Sequence, residues 1–271
     1  MPSEIDIDRF RQSDVADFLR LADDEGWVCD PWEFDFMLRA NPAGCFAARS
    51  SGRRVGFVTS IPYLRSGWIG NLLVAQDCRE RGIGRRLFEA AMGTLVRAGV
   101  ETIWITASAA GAPLYESLGF QTIDTIQRWR AACPTGCAAQ SCTGTASVEM
   151  IDAAGWGDDR QKLLQPLLHR GRLMIEPDGF LLLQESSAGT QIGPWGALSE
   201  HVAAALLDKL CARRTAESMF LDAPAGNPGA AELLASRGFT VTGSTQLMYR
   251  GEAPAYDPGK IFALATMGSM G

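Results

Sequence analysis

Apolar and polar residues follow two alternating periods along this chain. Ile5 to Phe10 alternates as a strand, and Asp14 to Ala22 and Trp32 to Leu38 carry the spacing of short amphipathic helices. Cys45 to Arg49, Val55 to Ile61 and Trp68 to Val74, the first two parted by a Ser-Ser-Gly turn, predict an antiparallel meander. Ile83, Leu87, Ala91 and Leu95 then recur at helical spacing, so a helix is expected to about Ala98. Ile103 to Thr106 reads as a buried strand, followed by a short helix and a strand to about Arg130. Residues 131–146 carry no charge and little bulk, the composition of a linker. Beyond it the order begins again: strand at Phe180 to Gln184, helix at Glu200 to Arg214, strand at Met219 to Asp222, helix at Asn227 to Arg237, and a long strand toward Tyr249. The predicted class is α/β, an α+β mixed sheet, with domains at 1–130 and 147–271.

Composition narrows the chemistry. The 271 residues are 46% hydrophobic and 21% charged, ordinary for a globular chain. A net charge of −6 disfavours a nucleic-acid partner, whose surfaces are typically basic. Met1 to Phe10 is acidic without a hydrophobic segment, and no apolar run approaches ~20 residues, so neither signal peptide nor membrane span is expected and the location is expected to be cytoplasmic. Seven cysteines fit no common zinc spacing, Cys133, Cys137 and Cys142 included, and there are two histidines; free thiols and no metal site are expected.

The most informative stretch joins the third meander strand to the helix: Arg79-Glu80-Arg81-Gly82-Ile83-Gly84. A strand that feeds through glycines into a helix leaves backbone N–H groups at the helix N-terminus, an environment suited to phosphate. Arg79, Arg81, Arg85 and Arg86 add positive charge within eight residues. The spacing Arg-x-x-Gly-x-Gly matches neither the dinucleotide G-x-G-x-x-G nor the lysine-bearing triphosphate loop.

It resembles the pyrophosphate loop of the GNAT superfamily of acyl-CoA-dependent N-acyltransferases. The stretch Ser108 to Phe120, with Tyr115 before Leu118-Gly119-Phe120, is similar to that family's second hallmark, Asn-x-x-Ala-x-x-x-Tyr closed by Gly-Phe. Ser108 stands where the family has Asn, and Gly111 where it has Ala. The resemblance implies acetyl-CoA as co-substrate. Leu72, Leu73 and Val74 would offer backbone groups to pantetheine and thioester, and Arg79, Glu80, Arg81, Gly82, Ile83, Gly84 and Arg85 would hold the pyrophosphate. Ser108 would make a shorter pantetheine contact, and Tyr115 would protonate the leaving thiolate. A tyrosine at that place can equally pack a core.

The second half repeats the pattern weakly. Asn227, Ala230 and Leu234 take the spacing of Ser108, Gly111 and Tyr115, but Ile192 to Glu200 carries no arginine loop. The segments Leu247 to Gly251 and Ile261 to Ala265 are similar to the C-terminal domain of bacterial two-domain GNAT proteins. The resemblance therefore implies tandem GNAT folds, an N-terminal catalytic domain followed by a degenerate copy without cofactor binding.

The acceptor is less defined. Residues 1–48 hold 11 acidic side chains against four arginines, which suits a cationic amine on a small molecule or a protein. Asp24, Glu25 and Trp27 are candidate acceptor contacts, although Asp23-Asp24-Glu25 reads as well as a solvated helix end. An amine N-acetyltransferase, a tandem transferase with another acyl donor, and a non-catalytic acyl-CoA-binding interaction protein remain open. General base and oligomeric state are not readable.

Overall fold

The computed structural model describes residues 5–132, 146–186, 188–212 and 218–271. The described chain divides into two compact units, one running to Ile105 and the other Thr106–Ser269.

The first unit contains β1 (Ile5–Arg9), α1 (Val15–Asp24), α2 (Pro31–Ala40), β2 (Phe46–Ser50), β3 (Arg53–Pro62), β4 (Ser66–Val74), α3 (Ile83–Arg97) and most of β5 (Thr102–Ala107). Its strands lie in the order β1-β2-β3-β4-β5, antiparallel except for the last pair. Ile83, Leu87, Ala91 and Leu95 are all buried, so α3 covers the sheet with the face its periodicity predicts. On the other side of the sequence pattern, Phe10, Phe18, Phe34 and Phe57 form one aromatic cluster with ring centroids 4.4–6.1 Å apart. Arg54, buried on β3, donates to both carboxylate oxygens of Asp14 at 2.9 and 3.0 Å and also pairs with Asp8. Burial opposes the charged guanidinium, yet these hydrogen bonds hold its pKa above the ordinary arginine value.

The second unit contains α4 (Ala112–Ser117), β6 (Gln121–Ala131), α5 (Val148–Trp156), α6 (Gln161–Arg170), β7 (Arg172–Glu176), β8 (Gly179–Ser186), β9 (Gly189–Ala197), α7 (Glu200–Cys211), β10 (Met219–Pro224), α8 (Pro228–Ser236), β11 (Thr240–Gly251) and β12 (Ile261–Ala263). Its strands run β11-β6-β10-β9-β8-β7, and β12 adds to β9. Among the described residues of this unit, β9 and β10 pair in parallel and the other neighbours of that order are antiparallel. From β7 to β11 the element order repeats that of the chain from β2 to β6: three antiparallel strands, helix, parallel strand, short helix, long strand.

Chain order and compactness divide the molecule differently. A boundary at 130 is expected from the linker composition, whereas compactness places α4 and β6 in the second unit. The cause is pairing: β6 lies between β10 and β11, paired along nearly its whole length to β11 and over Ile126–Ala131 to β10. Most of the expected linker 131–146, with Cys133, Cys137 and Cys142, lies outside the described residues, as does the end of the helix expected to reach Arg214. No helix among the described residues is long and apolar enough to cross a membrane.

Trp68 and Trp104 are the last paired residues of β4 and β5, and their rings stack 6.3 Å apart at 21° in a fully buried position. Trp104→Ala should therefore destabilise the protein by about 3–5 kcal/mol. Denaturant unfolding measures this, and a loss below about 1 kcal/mol would show that the stack does not hold the strands together.

Candidate functional site

Where β4 runs out, the backbone makes two left-handed steps before α3 begins, Glu80 at φ +61° and Gly82 at φ +73°. A residue with a Cβ is strained in that region, so Glu80 stores about 1 kcal/mol or more and Gly82 avoids the cost. Gly82 occupies the N-cap of α3, and no side chain caps that helix. The amides of its first turn thus face away from the chain with the positive end of the helix dipole behind them. Gly84 differs from Gly82 in that its backbone is ordinary and a Cβ there would touch only Val74 Cγ2, at 3.7 Å. The chain itself has room for a side chain at 84; the glycine keeps a clear surface beside the helix end. Uncapped amides, clearance and arginines together fit a diphosphate.

The arginines are not equivalent. Arg79 donates from Nε to the Val74 carbonyl at 3.0 Å and pairs with Glu25. Gln76 donates to the same Glu25 carboxylate at 3.0 Å. The Gln76 hydrogen bond, and then Arg79, hold the Glu25 pKa below its ordinary 4.5. Arg53 braces the turn before the loop through Asp77 at 2.5 Å. Arg81 lies 3.9 Å from Cys78 Sγ, and Arg85 is 3.6 Å from Glu89. Arg86 turns toward β1, donating to the Ile5 carbonyl at 3.1 Å.

Upstream, β4 and β5 pair only from Ser66 with Thr102 to Trp68 with Trp104 and then part. On its other side β4 bulges against β3, the register jumping from Thr59 opposite Gly70 to Phe57 opposite Leu73. Asn71 takes φ +55° at the bulge. Leu73 is buried, with Leu72 and Val74 half-buried beside it. Among the described residues no strand pairs with the β5-facing edge of β4 beyond Trp68, so the backbone of Leu72 to Val74 is open on that edge.

The bulge brings in a residue not picked out from the sequence. Asn71 Nδ2 donates to Glu33 Oε1 at 2.6 Å and to Thr59 Oγ1 at 3.1 Å. Glu33 sits in the first turn of α2, where an acid reads simply as a favourable helix-end charge. Its proximity, after burial itself, pushes the Cys29 thiol up to about 12, which leaves that cysteine un-ionised.

The acceptor candidates fare unevenly. Glu25 is bound to the loop through Gln76 and Arg79, and Asp24 is exposed at the C-terminal end of α1. Trp27 is 42% exposed on the connection between α1 and α2. Much of the acidic excess of residues 1–48 has internal work: Asp8 and Asp14 pair with Arg54, Asp17 with Arg20, Asp30 caps α2 by accepting from Trp32 N at 2.9 Å, and Asp35 accepts from Gln12.

Ser108 and Tyr115 belong to the second compact unit, where they meet around Gly111. Ser108 Oγ accepts from Gly111 N–H at 3.2 Å and caps the approach to α4. A Cβ on Gly111 would lie 3.2 Å from the Tyr115 ring and 3.4 Å from Ser108 Oγ. Serine and glycine therefore go together here: the shorter side chain draws the turn in, and the missing methyl makes room. Tyr115 is 8% exposed, packs edge-on against Phe120 at 6.2 Å, and has its pKa pushed up to about 12 by burial. Gly119, at φ +85°, ends the helix as its sequence position predicts.

Comparison with known proteins places both halves of the chain in one family. Residues 41–122 match a family model described as an acetyltransferase (GNAT) domain, and residues 148–263 match a second model of the same description. The chain is 25% identical to the uncharacterized N-acetyltransferase YitH of Bacillus subtilis over 94% of this chain and 95% of that one. It is 34% identical to the ribosomal protein bS18-alanine N-acetyltransferase of Escherichia coli over 31% of this chain and 57% of that one. A solved chain from Pyrococcus horikoshii, described as an acetyltransferase, superposes with a TM-score of 0.85 at 24% identity, covering 98% of this chain and 96% of its own. A GCN5-related N-acetyltransferase from Sphaerobacter thermophilus gives 0.66 at 16%, covering 95% and 100%. These two likenesses are of fold.

Glu25→Gln should release Arg79 and, if the loop holds a diphosphate, weaken binding of coenzyme A by about two- to fivefold, the range of one partly exposed ion pair. Because the folded-state pKa of Glu25 lies below 4.5, the pair is intact above that pH and is lost only as pH falls through the lower value. Titration calorimetry at pH 7 reads the affinity; an unchanged value would detach Glu25 from the loop's function.

Proposed function

The chain belongs to the GNAT acetyltransferase family, with a GNAT domain matched in each half, and we propose that its first half transfers an acetyl group from acetyl-CoA to a primary amine. The observation that carries this reading is the helix end at Gly82 to Gly84, uncapped, cleared and flanked by arginines. A diphosphate there accepts from first-turn amides and meets Arg81 and Arg85, with Arg79 steadied by Glu25. The pantetheine arm then follows the open edge of Leu72 to Val74 as an added strand would.

An amine acceptor is supported by the relatives. YitH is named as an N-acetyltransferase along nearly the whole chain, and the Escherichia coli relative is named for an alanine of ribosomal protein bS18. For this chain the class is a primary amine on a protein, peptide or small molecule. Glu33 and Asp24 supply negative charge for its ammonium form, and Trp27 an exposed apolar wall.

The chemistry requires a neutral amine, a polarised carbonyl and a proton for the departing sulfur. Glu33, fixed by Asn71, takes the amine's proton; the nitrogen attacks the thioester carbon; backbone N–H groups past the β4 bulge stabilise the developing oxyanion. The C–S bond then breaks. Tyr115, with its pKa pushed up to about 12, is a weaker acid than a thiol near 8.5. By the family resemblance it would be a neutral hydrogen-bond donor to the sulfur, which departs as thiolate and takes its proton from water while Glu33 returns the amine's proton to solvent, so kcat is free of a Tyr115 ionisation below about pH 10.

Tyr115→Phe keeps the packing against Phe120 and removes the donor, so kcat should fall by roughly 10²-fold with coenzyme A affinity nearly unchanged. An unchanged kcat, where chemistry limits the rate, would return Tyr115 to a packing role. The wider reading is tested by thiol release from acetyl-CoA against a panel of amines. No release with any amine, despite tight coenzyme A binding, would favour a non-catalytic acyl-CoA-binding protein; release only with longer acyl donors would favour a different donor.

A further inference from the structure

The second unit has its own pair of parting parallel strands. β9 and β10 pair only at Thr190 with Met219 and Gln191 with Phe220. β9 also bulges against its hairpin partner, the register jumping from Leu183 opposite Ile192 to Leu181 opposite Trp195. This repeats the bulge and separation of β4, but here the gap is filled. β12 pairs antiparallel with β9, Ile261 opposite Gly196 and Ala263 opposite Trp195, and Leu264 N donates to the Asp222 carbonyl of β10 at 2.8 Å.

The surrounding side chains are fitted to that strand. Asn227 caps α8 through Oδ1, which accepts from Ala230 N at 2.9 Å, and its Nδ2 donates to the Ile261 carbonyl at 3.0 Å. Gln184 and Gln191 both donate to the Ala265 carbonyl, at 2.8 and 3.1 Å. A methyl group on Gly193 would overlap the Leu264 carbonyl oxygen. Phe262 packs on Trp195 with ring centroids 5.2 Å apart, and residues 261–265 are all at most 3% exposed. At the neighbouring helix end, Ser199 caps α7, and the Glu200 carboxylate stands so close to α8 that a methyl on Gly229 would overlap it. The first turn of α7 thus carries an acid, Glu200.

We infer that the second unit has kept the ligand groove of its fold as a binding site for an extended apolar peptide, occupied by the chain's own residues 261–265. The segment follows the course that the proposed function assigns to pantetheine in the first unit, along the edge of a bulged strand where two parallel strands part. Asn227, at the start of α8, supplies a side-chain contact to it.

Hydrogen exchange on the full chain tests this, with coenzyme A as the probe. Without it, amides of 261–265 and of 195–197 should be protected at least tenfold over an unstructured chain. Adding coenzyme A should slow exchange at 70–74 and 79–86 and leave 191–197 and 261–265 unchanged. Asn227→Ser retains a capping oxygen but loses the donor to Ile261, so exchange at 261–265 should rise about tenfold or more while α7 is unaffected. The inference is overturned if 261–265 exchanges like free peptide, if coenzyme A protects 191–197 or displaces 261–265, or if Asn227→Ser leaves 261–265 unaltered. The inference rests on the proposed function only for its comparison with pantetheine. Absence of coenzyme A protection everywhere would overturn that function, and the occupied groove is then decided by the coenzyme-free exchange and the Asn227→Ser result.

Discussion

Two parallel strands that part after two or three pairs leave a row of backbone N–H and C=O groups without a ladder partner, and such groups must be satisfied by water, ligand or chain. This constraint arises twice, at β4 and β5 and again at β9 and β10. A bulge aims the edge in both places, and a helix N-terminus lies at its far end. What differs is the partner. In the second unit β12 supplies it from the chain; in the first, among the described residues, the edge is open, beside the helix end proposed to hold an anion. One fold gives either a ligand site or a sealed core according to that choice.

The helix end decides which it is. Gly82 supplies a left-handed step and Gly84 clearance, and Arg79, Arg81 and Arg85 add charge around amides that no side chain caps. At the counterpart position Ser199 caps and Glu200 brings negative charge, satisfying the helix internally and repelling phosphate. Glu25 shows how closely loop and early helices are connected: a residue in the acidic connection after α1 holds an arginine of the loop.

Much of the frame was legible because its signals are local. The α3 periodicity, the arginine-glycine spacing and the Gly119 cap each declare themselves within a few residues, and the elements expected from the sequence form within about three residues of their expected limits where those are described, whereas α5, α6 and β7 are not among those expected. The remainder depends on pairing across long separations. Gly193-Pro194-Trp195-Gly196 reads as loop because glycine and proline interrupt strands, yet it forms β9, with Gly193 admitting the Leu264 carbonyl. β12 is a short apolar run whose partners lie some 40 to 70 residues away, and β6 belongs with β10 and β11 for reasons no local pattern carries. Glu33 was hidden by a plausible helix-end role until Asn71 drew it to the bulge.

The central claim is that this tandem chain has one open acyl-carrier groove and one closed by its own strand. The most direct measurement is the stoichiometry of coenzyme A binding to the full-length protein by titration calorimetry. The account predicts about one site per chain, abolished by Gly84→Glu, which places a side chain and a negative charge at the cleared helix end. Two sites of similar affinity, or one site indifferent to Gly84→Glu, would contradict it.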